Sequence, residues 1–73
     1  MCRIKVAAVF ENGVISPVKF RHAGRDYKVD KITYRWTTRN GASKIYHFAV
    51  YDGANTFEIS FDDKNTLWEL KTE

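Results

Sequence analysis

Residues 4–20 read IKVAAVFENGVISPVKF, and this stretch decides the fold. Apolar side chains recur at every second position on both sides of Asn12 and Gly13, which is typical of strands with one buried face. Asn-Gly favours a tight type I′ turn because both residues tolerate a positive φ. The stretch therefore predicts a β-hairpin. Pro17 lies inside the second strand and cannot donate a ladder hydrogen bond, so this strand either lies at a sheet edge or bends at the proline.

The same alternation continues along the chain. Further turn signals stand at residues 22–24, 40–41, 52–53 and 62–65, and no window shows apolar residues at helical spacing. The pattern predicts one all-β domain over residues 1–73, an antiparallel six-stranded meander curled into a small open barrel or rolled sheet.

One predicted strand changes its phase. Tyr27 and Val29 share one parity, whereas Ile32 and Trp36 share the other. A β-bulge or sharp bend at residues 30–31 would keep both pairs pointing inward. The predicted core comprises Val6, Phe10, Val18, Phe20, Tyr27, Val29, Ile32, Trp36, Phe48, Val50, Phe57, Ile59, Phe61, Trp68 and Leu70.

Charge is distributed unevenly along the chain. Residues 1–50 carry ten Lys or Arg and three Asp or Glu, whereas residues 51–73 carry two and six. Such asymmetry marks either a surface that binds a polyanion or basic strands that are neutralised by acidic neighbours across the sheet.

Compartment signals are few. The longest early apolar run, residues 6–10, is too short for a signal-peptide core or a membrane span. Cys2 is the single cysteine, so an internal disulfide is excluded. We expect a cytoplasmic protein with no membrane association.

Residues 17–36 fit the pattern P-V-x-F-x-x-x-G-R-x-Y-x-V-x-x-I-x-x-R-W, and Trp68-x-Leu70 follows near the end. In these positions the chain resembles a family of small bacterial all-β domains of unknown function. The resemblance implies a β fold and an association, in some members, with DNA-repair polymerase proteins, but it brings no established activity. Residues 3–16 have no counterpart in the pattern.

Catalytic and metal chemistry lack the necessary residues. Cys2, His22 and His47 are widely spaced, so no nucleophile is paired with a base. A zinc site needs three or four Cys or His ligands, and the loop at residues 62–65 lacks the later glycine and glutamate of a calcium loop. We therefore expect no enzyme, no metal and no cofactor.

A basic and aromatic face is the best functional candidate, because single-stranded nucleic acid is bound by cationic grooves with aromatic platforms. Lys28 and Arg35 are predicted to point outward from one strand, with His47 and Tyr51 available for stacking. The candidate nucleic-acid-binding residues are Arg21, Arg25, Lys28, Arg35, Arg39, Lys44, His47 and Tyr51.

Two alternatives stay open at the level of sequence. The chain is instead a protein-interaction or adaptor module that acts through an exposed sheet edge, with the strand of Pro17 as the candidate edge, or it forms a homodimer there. Arg25 either pairs with an acid such as Asp26 or binds a phosphate.

Overall fold

The computed structural model describes residues 2–71, which form eight β-strands joined by short turns. The strands are β1 (Cys2–Arg3), β2 (Lys5–Glu11), β3 (Val14–His22), β4 (Arg25–Lys28), β5 (Lys31–Asn40), β6 (Ser43–Tyr51), β7 (Thr56–Asp62) and β8 (Leu67–Lys71). These residues contain no helix, and hence none long and apolar enough to cross a membrane.

The strands form two antiparallel sheets that enclose the core between them. One sheet has five strands in the order β1-β8-β7-β6-β5, and the other has three in the order β2-β3-β4. The predicted all-β antiparallel fold is confirmed. The predicted count of six strands is wrong, because the expected strand over residues 27–36 divides into β4 and β5, and Cys2–Arg3 form an additional strand. In place of one sheet curled into a small open barrel or rolled sheet there are two sheets, and neither closes into a barrel.

The passage from β4 to β5 takes place between two adjacent residues. The amide of Val29 donates to the carbonyl of Val18 in the three-stranded sheet (3.0 Å), whereas the amide of Asp30 donates to the carbonyl of Tyr51 in the five-stranded sheet (2.7 Å). The sharp bend expected near Asp30 is thus confirmed. It lets one continuous segment contribute to both layers of the fold.

A β-bulge lies three residues beyond this bend. Ile32 pairs with Val50 and Tyr34 with Ala49, so Thr33 has no residue opposite it on β6. The hydroxyl of Thr33 donates to the carbonyl of Ala49 at 3.1 Å. The sequence alternation gave no sign of this second irregularity.

The bulge reverses the two faces of the second half of β5. Arg35 pairs with Phe48 on the inner face, and Trp36 pairs with His47 on the outer face. The predictions that Trp36 belongs to the core and that Arg35 points outward are therefore wrong. An extra residue moves every later side chain of a strand to the opposite face.

The core joins both sheets. Its buried apolar side chains are Phe20, Phe48, Val50, Ile59, Phe61 and Leu70. Predicted core residues that are half-buried and pack against this cluster are Val6, Tyr27, Val29, Ile32, Phe57 and Trp68. Phe20 packs on its cross-strand neighbour Tyr27 at 4.9 Å, and it contacts the other sheet through Phe57, whose ring lies edge-on to it at 5.5 Å.

Two residues predicted for the core are exposed. Phe10, at 66% exposure, lies near the tip of the β2–β3 hairpin and only its edge meets Phe61, with ring centroids 6.5 Å apart. Val18, at 42% exposure, is unpaired where the register of β2 and β3 shifts between Ala7 and Ala8. The alternation of apolar residues does not show that the tip of a hairpin extends beyond the rest of its sheet, and it does not show where a bulge occurs.

Pro17 does not lie on an edge strand, because β3 is the central strand of its sheet. The alternative expectation, a bend at the proline, agrees with the bulge at Val18. β4 pairs only with residues 19–22 of β3, so the part of β3 that holds Pro17 has one ladder neighbour instead of two. A missing amide is tolerated there.

Two hairpin turns share one left-handed conformation. Asn12 and Gly13 have φ of 53° and 77°, as the Asn-Gly signal predicts, and Ala23 and Gly24 have φ of 52° and 78°. Alanine is poorly suited to this region because its Cβ crowds the backbone, at a cost of roughly 1 kcal/mol. Ala23 is therefore a strained position.

We expect Ala23→Asn to raise the free energy of unfolding by about 0.5–1 kcal/mol, since asparagine tolerates this φ. Thermal denaturation should show a melting temperature higher by roughly 2–8 °C for a domain of this size. Ala42→Asn is the matched control, because Ala42 is an exposed turn alanine outside the left-handed region. An equal gain in both variants would contradict the assignment of strain to Ala23.

The β7–β8 turn depends on one carboxylate. Asp62 accepts hydrogen bonds from the side-chain amide of Asn65 (2.9 Å) and from the backbone amides of Lys64 (3.0 Å) and Asn65 (3.3 Å). These donors, the Asn65 side chain first, lower the pKa of Asp62 below its ordinary value. A lowered folded-state pKa means that the charged carboxylate stabilises the fold above its unfolded pKa and loses that effect as pH falls through the folded value.

We expect Asp62→Ala to lower the melting temperature at neutral pH, and the difference from the unmodified chain to shrink below the ordinary aspartate pKa of about 3.9. Asp62→Asn keeps one acceptor oxygen without the charge, so it should lose less stability and remove the pH dependence at this position. Melting curves recorded from neutral to acidic pH test this. A difference that stays constant down to acidic pH would contradict it.

Candidate nucleic-acid interface

The outer face of the three-stranded sheet is basic. Register places Lys5, Arg21 and Asp26 in one row across the sheet, and Lys19 and Lys28 in the next, with Ala7 completing that row. All five charged side chains are exposed. We call Lys5, Lys19, Arg21 and Lys28 the basic face. Part of it encloses a shallow hollow of about 280 Å³.

The one acid in these two rows is already paired. Arg21 Nε donates to Asp26 Oδ1 at 2.7 Å, and Nη2 donates to Oδ2 at 3.3 Å. The hydrogen bond from Arg21 lowers the pKa of Asp26, and the charge of Lys19 lowers it further. Asp26 therefore offsets the charge of Arg21 and leaves the three lysines uncompensated. The sequence alternative in which Arg25 pairs with Asp26 is not adopted.

The other predicted cations lie elsewhere. Arg25 pairs with His22 on the opposite side of the sheet from Arg21, and its guanidinium lies 5.7 Å from the ring centre of Tyr27. Arg39 and Lys44 pair with each other at the end of the β5–β6 hairpin. The structure thus brings together Arg21 and Lys28 of the predicted set and separates them from these three.

Arg35 joins the two sheets. Its Nη1 donates to the carbonyl of Ile15 at 2.7 Å and its Nη2 to the hydroxyl of Ser16 at 3.3 Å, both on β3. The guanidinium also lies 5.6 Å from the ring centre of Phe48. Planar guanidinium groups suit such stacked, two-acceptor sites. Arg35 has a structural position here, between layers.

The predicted aromatic residues lie on the outer face of the five-stranded sheet. The ring centres of Tyr34 and Trp36 are 5.3 Å apart, and Trp36 stacks on His47 with centres 5.0 Å apart and planes 5° apart. Tyr34 is 64% exposed. We call these three residues the aromatic strip. Tyr51 is on the same face and its ring centre is 5.5 Å from Lys31 Nζ.

The aromatic strip and the basic face lie on opposite sides of the core, since each is the outer face of a different sheet. The expected single basic and aromatic face is therefore divided in two. Acids also adjoin the strip. Glu58 lies in the row of Tyr34, and Glu69 lies in the row of Trp36 and His47.

His47 lies between a hydroxyl and a carboxylate. Its Nε2 is 2.8 Å from Thr38 Oγ1, while its buried Nδ1 has no hydrogen-bond partner among the described residues and lies 3.9 Å from Glu58 Oε2. At that distance the carboxylate does not orient the ring, which a hydroxyl–imidazole–carboxylate catalyst requires. Residues 2–71 contain no cluster of three or more metal-ligating side chains either.

Lys5 and Lys19 were missing from the predicted set. Both occupy the polar parity of the first hairpin, as Arg21 does, so alternation contains the signal. Only the strand pairing shows that Lys28 lies in the same row as Lys19.

No protein-family model, curated protein or solved structure matches this chain.

We expect Arg35→Ala to lower the free energy of unfolding by about 1–2 kcal/mol, because the carbonyl of Ile15 loses its donor and the sheets lose a link. Arg39→Ala is the matched control: Arg39 is on the same strand and the same parity, and its side chain makes no hydrogen bond within residues 2–71. Its effect should stay within about 0.5 kcal/mol. Urea denaturation measures both, and equal effects would contradict a linking role for Arg35.

Proposed function

We propose that this chain is a non-catalytic nucleic-acid-binding module that contacts phosphates through the basic face. The observation that carries the proposal is the presence of four exposed cations in two adjacent rows of one sheet face, where the single acid of those rows, Asp26, is already paired with Arg21. Phosphate contacts by Lys and Arg supply most of the affinity of sequence-independent nucleic-acid binding.

The spacing of the cations suits a repeating anion. Lys19 and Arg21 lie two residues apart on β3, about 6.7 Å along the strand at the usual rise per residue. Lys28 and Lys5 flank them on the neighbouring strands. Lysine acts as a flexible point charge, so such a face fits phosphates without demanding one geometry.

The proposal includes no base stacking. Among the described residues, the rows of the basic face contain charged residues and Ala7, while the aromatic strip lies on the other side of the molecule. Single-stranded nucleic acid bound at the basic face would leave His47 and Tyr51 out of reach. We therefore expect weak preference between sequences, and similar binding of single-stranded and duplex DNA.

A second candidate function is a protein-interaction module acting at a sheet edge. It is favoured by β5, a ten-residue strand with a ladder partner on one side only among the described residues. An unpaired edge can accept a strand from a partner.

Fluorescence anisotropy with a labelled single-stranded oligonucleotide, between about 50 and about 200 mM salt, tests the nucleic-acid proposal. The plot of log K against log salt should have a slope of roughly −2 to −3, as expected for three or four phosphate contacts to a single strand. The double substitution Lys19→Ala and Lys28→Ala should weaken binding and make the slope shallower by about 1.4.

The control removes the same charge elsewhere. Lys64→Ala with Lys71→Ala deletes two exposed lysines of the β7–β8 region and should leave the slope nearly unchanged. Equal losses in both double variants would mean that net charge alone drives binding, and absence of binding at low salt would remove the proposal. A loss caused by Tyr34→Ala would instead locate the contact at the aromatic strip.

A further inference from the structure

The two sheets leave a cleft open on one flank of the molecule. Within residues 2–71, residues 14–18 of β3 extend past the end of β4 and have β2 as their one ladder neighbour, and β5, whose one ladder neighbour is β6, reaches them through Arg35. Between them lies a cleft of about 260 Å³, with Val14 and Ile15 on one wall, Thr37 on the other, and Tyr46 and Phe48 also lining it.

Arg35 occupies the position that a neighbouring strand would occupy. Its guanidinium donates to the carbonyl of Ile15 across the cleft at 2.7 Å. That carbonyl is therefore directed away from β2, toward β5, where a strand amide would otherwise donate to it. On this flank of β3, the backbone carbonyl of Ile15 accepts its hydrogen bond from the side chain of Arg35 instead of from the amide of a neighbouring strand.

Charge selects the occupant of the cleft. Residues 14–18 of β3 contain no charged side chain, and β5 contains Lys31, Arg35 and Arg39 and no Asp or Glu, with Arg35 and Arg39 on the inner face. A second copy of this chain that paired β5 against β5 around Thr37 would oppose Arg35 of one copy with Arg39 of the other. Like charges opposed across strands are destabilising. An acidic strand is complementary.

We propose that the cleft between β3 and β5 binds an extended acidic peptide segment of a partner protein, an inference that rests on the second candidate function. The segment adds as a strand along β5, places acidic side chains beside Arg35 and Arg39, which share one face of β5, and sets an apolar side chain against Val14. Strand addition gives affinity through backbone hydrogen bonds and specificity through alternate side chains. The apolar lining and the open ladder edge favour a peptide over nucleic acid, and the site is independent of the basic face.

The test uses a labelled synthetic peptide in which glutamate alternates with valine around one central phenylalanine, titrated by fluorescence anisotropy. Val14→Glu introduces a negative charge at the cleft wall and should weaken binding at least tenfold, or about 1.4 kcal/mol. Val9→Glu is the matched control: Val9 is 48% exposed and Val14 49%, but Val9 is not part of the cleft lining. It should leave the affinity within about twofold, well under 1.4 kcal/mol.

Two further measurements complete the test. A peptide with proline in place of alternate valines cannot donate to β5 and should not bind. Where Val14→Glu alters the thermal melting curve, Val14→Ala takes its place, with a smaller loss of affinity expected. Sedimentation of the chain without peptide should show a monomer.

The proposal is overturned by no binding of the acidic peptide, by equal losses in the Val14 and Val9 variants, or by a dimer that Val14→Glu dissociates. Displacement of the peptide by the oligonucleotide would also overturn it, since the cleft would then be a general anion site. Lys19→Ala with Lys28→Ala should abolish only oligonucleotide binding, so failure of either proposal is distinguishable from failure of the other.

Discussion

The side chain of every residue in the second half of β5 is directed by one unpaired residue, Thr33. Thr33 has no partner in the ladder, so the pairing of β5 with β6 is shifted by one residue beyond it. The hydroxyl of Thr33 donates a hydrogen bond to the carbonyl of Ala49 and stabilises this arrangement. The shift sends a large aromatic side chain, Trp36, to the surface and a cation, Arg35, between the layers. The aromatic strip, the link between the sheets and the cleft beside β3 all depend on this register.

Much of the fold is predictable because a period of two leaves few choices. The hairpin at Asn12 and Gly13, the abrupt passage at Asp30 and most of the core follow from alternation and turn chemistry. The errors have a common origin. A bulged residue has no cross-strand partner, so the alternation of the strand shifts by one residue at that point. Thr33 and Val18 are the bulged residues here, and both are residue types that also occur at paired strand positions. The alternation of apolar residues reveals a bulge only when the apolar side chains before and after it both point into the core. Trp36 points outward, so the alternation does not reveal the bulge at Thr33.

The candidate site is less predictable than the fold. Arg21 and Lys28 were identified because cations are conspicuous in the sequence, but a shared face is a property of strand pairing. Lys19 and Lys28 are nine positions apart in the chain and become neighbours only through the β3–β4 register. Arg35 shows the converse. It stands directly before Trp36 in the sequence, yet Trp36 stacks on His47 on the outer face, whereas Arg35 points inward and hydrogen-bonds to the other sheet.

The pairing of β1 with β8 joins segments from nearly opposite ends of the described chain, with Cys2 beside Leu70. Every other pairing joins strands that follow one another, so local hairpins can form early and without large loops to close. The β1–β8 contact must wait until both sheets have positioned their ends, because its loop-closure entropy is the largest in the fold. We therefore expect the β1–β8 pairing to form last during folding. Loss of this pairing would expose Leu70 and leave the hairpins intact.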